Sequence, residues 1–475
     1  MSDSAVYGMG GIANQAVAVL LVPIYARVLG PSGVGVTAVI NSTLSLSLIV
    51  AGLALPQAFL RWYLKEAEND RDRARVLGTT MAVRLAASLA GMVAVALAVI
   101  PLTLALYGDA ATLPIFLLIA PIILFDSVLA IPLTVLRAQR RPRPYAFLSF
   151  TRAVLGSVLI VALVVVAGVG VIGVVIGSAV AAGVSAGVGL FVLSNAGLLR
   201  FAWDGRLARS MLAFSLPLVP AGLAGWALNL SDRYLLQAFT DAATVGIYAM
   251  GYTAGLVVNA LAVQPFAVAW GATYWEIARR GDAAAAIARV LTAYAAAGAL
   301  AALLLSALGT DLLRVLVGER FEASRFVVPF SAFAFVLYGV FLIGTTGINL
   351  ASRTGLFPLI MAGAAALGVV LNVLLIPTIG FMGAAVSTLA AYTVLALSGG
   401  LVAQRMYPVP WDLPRVAGLL LTGGALSAAA LLGPDHAAWR VGCLLAYLPL
   451  VLIFRLVSPG ELAAAWRSVP PSAAR

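Results

Sequence analysis

Apolar segments long enough to cross a lipid bilayer recur along almost the whole chain. A transmembrane helix needs about 20 apolar residues. The sequence contains fourteen such segments between charged residues or Pro/Gly breaks, at 8–29, 34–60, 77–107, 113–136, 145–167, 171–194, 209–231, 244–271, 285–308, 326–350, 356–377, 381–404, 414–433 and 437–457. Backbone polar groups must be satisfied internally in lipid, so the pattern predicts an all-α polytopic membrane protein of about 14 helices.

The composition excludes the water-soluble classes. Hydrophobic residues make up 63% of the 475 residues and charged residues only 10%, whereas soluble domains average about 25% charged residues. A soluble enzyme, a disordered chain and a secreted disulfide scaffold are therefore excluded. The single cysteine, Cys443, permits no internal disulfide, and the single histidine, His436, excludes the usual histidine-based zinc and proton-relay sites. We expect no cofactor and no metal site.

The distribution of basic residues predicts the orientation. With a cytoplasmic N-terminus, 21 basic residues, among them Arg200, Arg467 and Arg475, fall on the cytoplasmic side and 6 on the outer side. Basic residues near short loops favour the cytoplasm, so we expect both termini there. The same asymmetry accounts for most of the net charge of +11 without any nucleic-acid partner. The first residues, MSDSAVYG, lack a basic region, so we expect no cleavable signal peptide.

The chain resembles itself at an offset of about 210 residues. The matches are Gly35 and Tyr63 with Gly246 and Tyr274, Ala138 and Arg140 with Ala351 and Arg353, and Gly170 and Gly173 with Gly380 and Gly383. The offset spans six helices, an even number, so the repeats are parallel. This predicts an N-lobe at 1–200, a C-lobe at 201–405, and a C-terminal helix pair with a short tail at 406–475. GVGVIG at 168–173 formally fits a dinucleotide fingerprint, but without the required acidic residue it predicts a tight turn between spans.

Three charged residues lie deep inside predicted spans, where ionisable groups are candidate functional residues. Arg84, Asp126 and Arg152 each lie roughly 12–16 Å deep, at 1.5 Å per residue. The depths allow one Arg–Asp–Arg cluster in the first lobe. It is either a structural ion pair that neutralises Asp126 or part of a site whose surplus positive charge attracts an anionic substrate.

A second charged group lies near the outer face, on the two helices that open the lobes. Arg27 ends the first span, and Asp232 and Arg233 end the seventh. Asn229 shares a helix face with Asp232 and Arg233, because the three are spaced i, i+3 and i+4. Arginines here either bind phosphate or only extend to the membrane interface.

Aromatic and amide side chains are candidates for sugar contacts, because sugar rings present apolar faces and hydroxyl edges. The alternative is ordinary packing with an interfacial aromatic belt. Span eight carries its candidates within about 80° of helical arc, and Pro265 within it is a candidate hinge. The residues of span eight are Tyr248, Tyr252, Asn259, Trp270 and Tyr274, and those of span ten are Tyr338, Phe341, Thr345 and Asn349. No catalytic constellation is present, and the mixed charges of the outer loop at 309–325 are typical of a solvated face.

Three segments resemble the multidrug/oligosaccharidyl-lipid/polysaccharide (MOP) flippase superfamily, in its polysaccharide-transporter branch. They are PIYARVLGPSGVG (23–35), NLSDRYLLQAFTDAATVGIYAMGY (229–252) and the stretch at 348–392 that ends in IGFMGAAVSTLAAY. The resemblance covers about residues 5–405. It implies a MATE-like fold of two six-helix lobes in a V, with spans one, two, seven and eight lining a cavity. It also implies that Arg27 and Arg233 contact a lipid diphosphate.

The implied function is a Wzx-like flippase that moves undecaprenyl-diphosphate-linked oligosaccharide across the bacterial cytoplasmic membrane, for O-antigen, capsule or exopolysaccharide synthesis. Such a protein is a transporter with two alternating lobes, not an enzyme. Candidate partners are the lipid-linked oligosaccharide, membrane lipids and polysaccharide polymerase or assembly proteins. The coupling ion, H⁺ or Na⁺, stays open. Alternatives are a cation-coupled multidrug exporter, disfavoured because no acid lies between Asp3 and Glu66, a peptidoglycan-precursor flippase, and a membrane glycosyltransferase or polymerase.

Overall fold

A computed structural model of the chain describes residues 3–67, 69–108, 112–198 and 202–456, with side chains from residue 23 onward. Every regular element in these ranges is helical, as predicted. The basic residues Arg200, Arg467 and Arg475 and the tail after residue 456 lie outside the described residues. So do the side chains of the first predicted span up to residue 22.

The described chain divides into two compact units. The first comprises residues 1–249 and 369–383, and the second comprises residues 250–368 and 384–475. Three helices continue from one unit into the other along the chain: α11 (Ala242–Val258), α16 (Phe357–Ile379) and α17 (Phe381–Gln404). The lobes and helix pair inferred from the repeat, at 1–200, 201–405 and 406–475, stay predictions.

The first unit contains ten helices before α11. They are α1 (Asp3–Gly52), α2 (Leu55–Arg61), α3 (Asp70–Tyr107), α4 (Leu113–Leu117), α5 (Ile119–Ala138), α6 (Pro142–Val161), α7 (Val171–Asn195), α8 (Gly205–Ser215), α9 (Val219–Leu230) and α10 (Asp232–Phe239). Part of its core lies where α2, α3 and α5 meet, around Phe59, Leu77 and Val135. Asn69 and Asp204 cap α3 and α8 by accepting hydrogen bonds from free N–H groups of the first turn. The hydrogen bonds from Leu207 and Arg206 lower the pKa of the Asp204 carboxyl.

The second unit begins within α11. Its other helices are α12 (Gln264–Ile277), α13 (Ala283–Val317), α14 (Val328–Gly344), α15 (Thr346–Leu350), α17 (Phe381–Gln404), α18 (Leu413–Leu432) and α19 (Ala437–Ile453), with the end of α16 assigned to the first unit. A π-helical turn at Asn259–Val263 separates α11 from α12 directly before Pro265, at the predicted interruption of span eight.

The helices agree with the predicted spans. Twelve helices in the described residues are long and apolar enough to cross a membrane, and the 17-residue α19 is a shorter apolar helix. The first of the twelve merges predicted spans one and two, because α1 continues through Gly30, whose φ of 68° breaks the helical geometry. The chain is therefore a multi-pass membrane protein, with a helix count close to the predicted fourteen.

The turn before the last helix of each predicted lobe supports the internal repeat. Gly170 and Gly380 both have positive φ, 65° and 58°. They immediately precede α7 and α17, which begin at Val171 and Phe381. In both turns an N–H group donates to the carbonyl three residues earlier. Gly173 donates to Gly170 at 3.1 Å, and Gly383 donates to Gly380 at 2.9 Å. The GVGVIG motif is thus a turn between helices, as predicted.

The charges of the predicted outer loop at 309–325 do not form a free solvated loop. Helix α13 continues to Val317 and carries Asp311 and Arg314 in its last turns. Arg440 of α19, with 8% of its side chain exposed, binds both oxygens of Asp311 at 2.7 and 2.8 Å and Asp435 at 2.5 Å. Its hydrogen bond lowers the pKa of the Asp435 carboxyl. These ion pairs join α13 to the α18–α19 connection. The predicted loop limit is wrong, because the helix continues to Val317, but Asp311, Arg314 and Glu322 keep 41–47% of their side chains exposed, as predicted for a solvated face.

Candidate functional site

The predicted outer charged group forms a buried ion pair where α9 gives way to α10. The chain departs from a single helix at Ser231, and the first residues of α10 are Asp232 and Arg233, which are 3% and 5% exposed. The Nη1 atom of Arg233 lies 2.6 Å from Oδ1 of Asp232 and also donates to the main-chain carbonyl of Asn229. The side chain of Asn229 itself donates to the Gly225 carbonyl at 2.8 Å.

Tyr248 of α11 completes this pair. Its hydroxyl donates to Oδ2 of Asp232, and the Arg233 guanidinium carbon lies 5.5 Å from the centroid of its ring. Tyr248 is fully buried. Its hydroxyl contacts the carboxylate, and its ring faces the cation. The sequence suggested Tyr248 as a sugar contact; the structure places its hydroxyl on Asp232.

Further polar contacts join this segment to α1. The hydroxyls of Thr43 and Tyr234 lie 2.6 Å apart, and the indole N–H of Trp226 donates to the Ser42 carbonyl at 3.0 Å. Sequence reasoning missed Thr43, Tyr234 and Trp226. Tyr234 had a usable signal, because it follows Arg233 within a short polar helix embedded among apolar spans. Arg27, also on α1, is exposed and lies three residues before the Gly30 break.

Close to this network, α1 and the start of α11 approach each other backbone to backbone. A Cβ atom at Gly35 would lie 1.7 Å from the Ala242 carbonyl oxygen, and one at Gly246 would lie 2.0 Å from the Pro31 carbonyl oxygen. The contact is reciprocal, because Gly246 and Ala242 lie 211 residues after Gly35 and Pro31, which is the offset of the repeat. Two equivalent helix starts therefore meet where only glycine fits.

The charges inside the predicted spans form a pair and a separate arginine. Arg152 of α6 binds Asp126 of α5 in a two-pronged contact, Nε to Oδ1 at 2.9 Å and Nη2 to Oδ2 at 3.2 Å. Arg84 of α3 instead donates from Nε to the main-chain carbonyl of Ser127 at 2.7 Å. The three residues therefore lie close together, but Asp126 is paired with Arg152 alone.

Replacing Asp126 by Asn tests whether this pair is structural. Its side chains are 24% and 19% exposed, so the pair is incompletely buried, and losing its charge-assisted hydrogen bonds should cost about 1–3 kcal/mol. The measurement is the thermal midpoint in detergent together with abundance in the membrane. A variant with normal abundance and no transport would assign the pair to the transport cycle. A variant with normal abundance and normal transport would show that the pair is needed for neither stability nor transport.

A π turn interrupts the helix that carries the candidate sugar-contact residues of span eight. The π turn that begins at Asn259 adds a residue to the helical repeat, so residues before and after it lose the predicted register. In the second unit, Tyr252 is 3% exposed and meets the Phe335 ring edge-on at 5.5 Å. Trp270 is 6% exposed, donates to Thr346 at 3.2 Å, and lies 6.1 Å from the Tyr274 ring.

The matching residues of span ten also pack within the second unit. Tyr338 and Phe341 stack with centroids 6.1 Å apart. The hydroxyl of Thr345 donates to the Phe341 carbonyl at 2.7 Å, and Asn349 is half-buried in α15. These contacts fit the packing interpretation for Tyr252, Trp270, Tyr338 and Phe341; a role in sugar binding stays a hypothesis. The described residues contain no group of three or more His, Cys, Asp or Glu side chains able to hold a metal ion.

Helices of membrane-spanning length that bury arginine–carboxylate pairs define a polytopic membrane protein. The sequence matches the family described as "Polysaccharide biosynthesis protein" over residues 1–270, more than half of the chain. The chain belongs to this family. No curated protein matches the sequence.

Solved structures show the same fold at low sequence identity. Lipid II flippase MurJ in an inward closed conformation matches with a TM-score of 0.76 and 12% identity, over 95% of this chain and 98% of that one. A mutant of the Vibrio cholerae MATE transporter VcmN matches with a TM-score of 0.58 and 16% identity, over 85% and 95%. An inward-facing multidrug resistance MATE family transporter of the MOP superfamily matches with a TM-score of 0.59 and 16% identity, also over 85% and 95%. The resemblance to the MOP superfamily seen in the sequence is thus confirmed, as is the MATE-like class of fold.

Proposed function

We propose that this protein is a flippase that carries an undecaprenyl-diphosphate-linked oligosaccharide from the inner to the outer leaflet of the bacterial cytoplasmic membrane. The observation that carries the proposal is the family match over residues 1–270, on a chain with the fold of lipid flippases and transporters. The product serves synthesis of a cell-surface polysaccharide. The protein acts by alternating access and catalyses no covalent chemistry.

The buried Arg233 suits an anionic lipid headgroup. Guanidinium donates two parallel hydrogen bonds to a phosphate, and such charge-assisted bonds are stronger in a low-dielectric site. Arg233 is paired with Asp232. A diphosphate that binds at this position would therefore displace the Asp232 carboxylate from the guanidinium. That exchange gives substrate binding a direct means of loosening the α9–α10 junction.

A second candidate is flipping of lipid II, because the chain aligns with MurJ over 95% of its length. Export of cationic drugs is less well supported, since no acidic residue lies between Asp3 and Glu66 to bind a coupling cation in the first span. A polymerase or glycosyltransferase would need catalytic carboxylates facing the outer leaflet. Asp311 and Asp435 instead bind Arg440.

Leaflet-resolved analysis of lipid-linked oligosaccharides in a deletion strain tests the proposal. We expect the intermediate to accumulate on the inner leaflet, inaccessible to an impermeant sugar-modifying reagent, and to reach the outer leaflet when the gene is restored. Purified protein in liposomes should move the oligosaccharide lipid but not lipid II. Movement of lipid II alone would instead establish the second candidate, and movement of neither would refute both.

The orientation is tested with reporter fusions. The asymmetry of 21 basic residues against 6 favours cytoplasmic termini, so fusions after residues 72 and 204 should report a cytoplasmic location. Fusions near residues 109 and 318 should report an external one. Inversion of either pair would contradict the proposed orientation.

Conservative replacement of Arg27 and Arg233 tests their assignment to the diphosphate. Lysine keeps the charge but loses the planar fork, so we expect Arg27→Lys and Arg233→Lys to slow flipping about tenfold each, or roughly 1.4 kcal/mol. Alanine should be more severe, and the double alanine variant non-additive, because either loss breaks the clamp. Exposed Arg289→Lys is the control. Wild-type glycan export by the double lysine variant at normal abundance would show that the forked contact is not required.

A further inference from the structure

Arg84 is a cation buried without a matching carboxylate. It lies on α3 and is 7% exposed. Its guanidinium makes one hydrogen bond to the described residues, from Nε to the Ser127 carbonyl. Asp126, the adjacent acid, has both oxygens engaged by Arg152. An ionised group in a low-dielectric interior is costly unless it is paired, so the Arg84 charge calls for a counter-charge of some kind.

The guanidinium lies at a pocket between α2, α3 and α5. The pocket is lined by Arg84 together with Pro56, Phe59, Thr80, Ala130, Ile131 and Thr134. The hydroxyls of Thr80 and Thr134 donate to helix carbonyls, those of Val76 and Ala130, at 2.7 and 2.6 Å. Among the lining residues, the side-chain donors left for a ligand are therefore those of Arg84, and the other lining side chains contribute mainly hydrocarbon.

The nearby end of α1 offsets only part of this charge. A Cβ built on Gly52, the last residue of α1, would lie 3.9 Å from Nη2 of Arg84, so the guanidinium is close to the carboxyl end of that helix. The free carbonyls of a helix end amount to about half a negative charge. A full positive charge in the membrane interior is thus incompletely balanced by protein groups.

We propose that this pocket binds one small monovalent anion, such as chloride or bromide, against the Arg84 guanidinium. The pocket has room for about one water-sized particle. A single halide ion is close to that size, whereas a diphosphate or a sugar carboxylate is much larger. The hydrocarbon walls favour anions that lose their water at low cost, so bromide and chloride should bind better than fluoride. This site is separate from the proposed lipid substrate and does not depend on which glycan is carried.

A halide titration of purified protein in detergent tests the site. A ligand that binds only the folded state raises stability with the logarithm of its concentration above Kd. We expect chloride and bromide, at concentrations well above Kd, to raise the thermal midpoint by about 2–4 °C, relative to gluconate at equal ionic strength. Fluoride should give little increase. Arg84→Gln should abolish the halide-dependent increase, whereas Arg289→Gln, at an exposed arginine, should retain it.

A second variant keeps the test decisive if Arg84→Gln does not fold. Ala130→Leu extends an apolar side chain from a residue that lines the pocket, leaving Arg84 in place. It should also lose the halide-dependent increase in midpoint. The proposal is overturned if the midpoint of the wild-type protein in bromide does not rise with concentration above that in gluconate. It is equally overturned if a folded Arg84→Gln or Ala130→Leu variant responds to bromide as the wild type does.

Discussion

Alanine in place of Gly35 or Gly246 is expected to destabilise the protein by about 3 kcal/mol or more, at or above the top of the range for overpacked sites. The added Cβ would lie 1.7 Å from the Ala242 carbonyl oxygen in one case and 2.0 Å from the Pro31 carbonyl oxygen in the other. Both obstacles are backbone atoms, so no side-chain rotation relieves the clash. Relief requires α1 and α11 to separate, which would disturb the Thr43–Tyr234 hydrogen bond and the packing around it.

Thermal midpoints of detergent-solubilised protein, with abundance in the membrane, measure this effect. Gly187→Ala on α7 and Gly271→Ala on α12 are the controls, because a Cβ at either position meets no atom within 4 Å. Alanine favours a helix by about 1 kcal/mol over glycine, so the controls should equal or exceed the wild type. A wild-type midpoint for Gly35→Ala and for Gly246→Ala would show that the helices are not held in this close contact.

The same contact explains why the two glycines were visible in the sequence. Gly35 and Gly246 correspond at an offset of 211. In the structure Gly35 lies against Ala242, and Gly246 lies against Pro31.

Much of the fold could be predicted, because lipid imposes its own pattern on the sequence. Span limits follow from apolar length, and the turns at Gly170 and Gly380 from the glycines that a positive φ requires. The prediction failed where helices extend past their apolar stretch, as α13 does through Asp311 and Arg314 to Val317. There, ion pairs to the α18–α19 connection stabilise a charged helix end that composition alone assigns to a loop.

The site was predictable in its residues but less so in their partners. Asp232, Arg233 and Asn229 were found by their spacing on one helix face, yet Tyr248 as the third member depends on how α10 and α11 pack. Arg84, Asp126 and Arg152 were found by their depth, but depth cannot say which arginine Asp126 binds. The aromatic stripe assumes one uninterrupted helical register, and the π turn at Asn259–Val263 changes that register without a periodic signal in the sequence.

Asp232→Asn is expected to be the most damaging single change of charge in the described chain. It would leave the Arg233 guanidinium, whose side chain is 6% exposed, buried with a neutral amide in place of its carboxylate. Breaking a buried pair by removing one partner typically costs about 3–5 kcal/mol. Tyr248→Phe, which removes one hydrogen bond to the charged group, should cost less, about 1.5–3 kcal/mol. Thermal midpoint and membrane abundance are the measurements.

Neutralising both members of the pair distinguishes a buried charge from a general packing defect. The double variant Asp232→Asn/Arg233→Gln removes the uncompensated charge, so it should recover part of the stability lost in Asp232→Asn, giving a coupling of at least about 1 kcal/mol. Asp282→Asn is the matched control, because its pair with Arg289 has side chains 59% and 63% exposed and should contribute less than about 1 kcal/mol. If Asp232→Asn is as stable as Asp282→Asn, Arg233 must find another counter-charge. If the double variant is stable but does not flip lipid, the pair is required for binding or transport beyond its part in holding α9, α10 and α11 together.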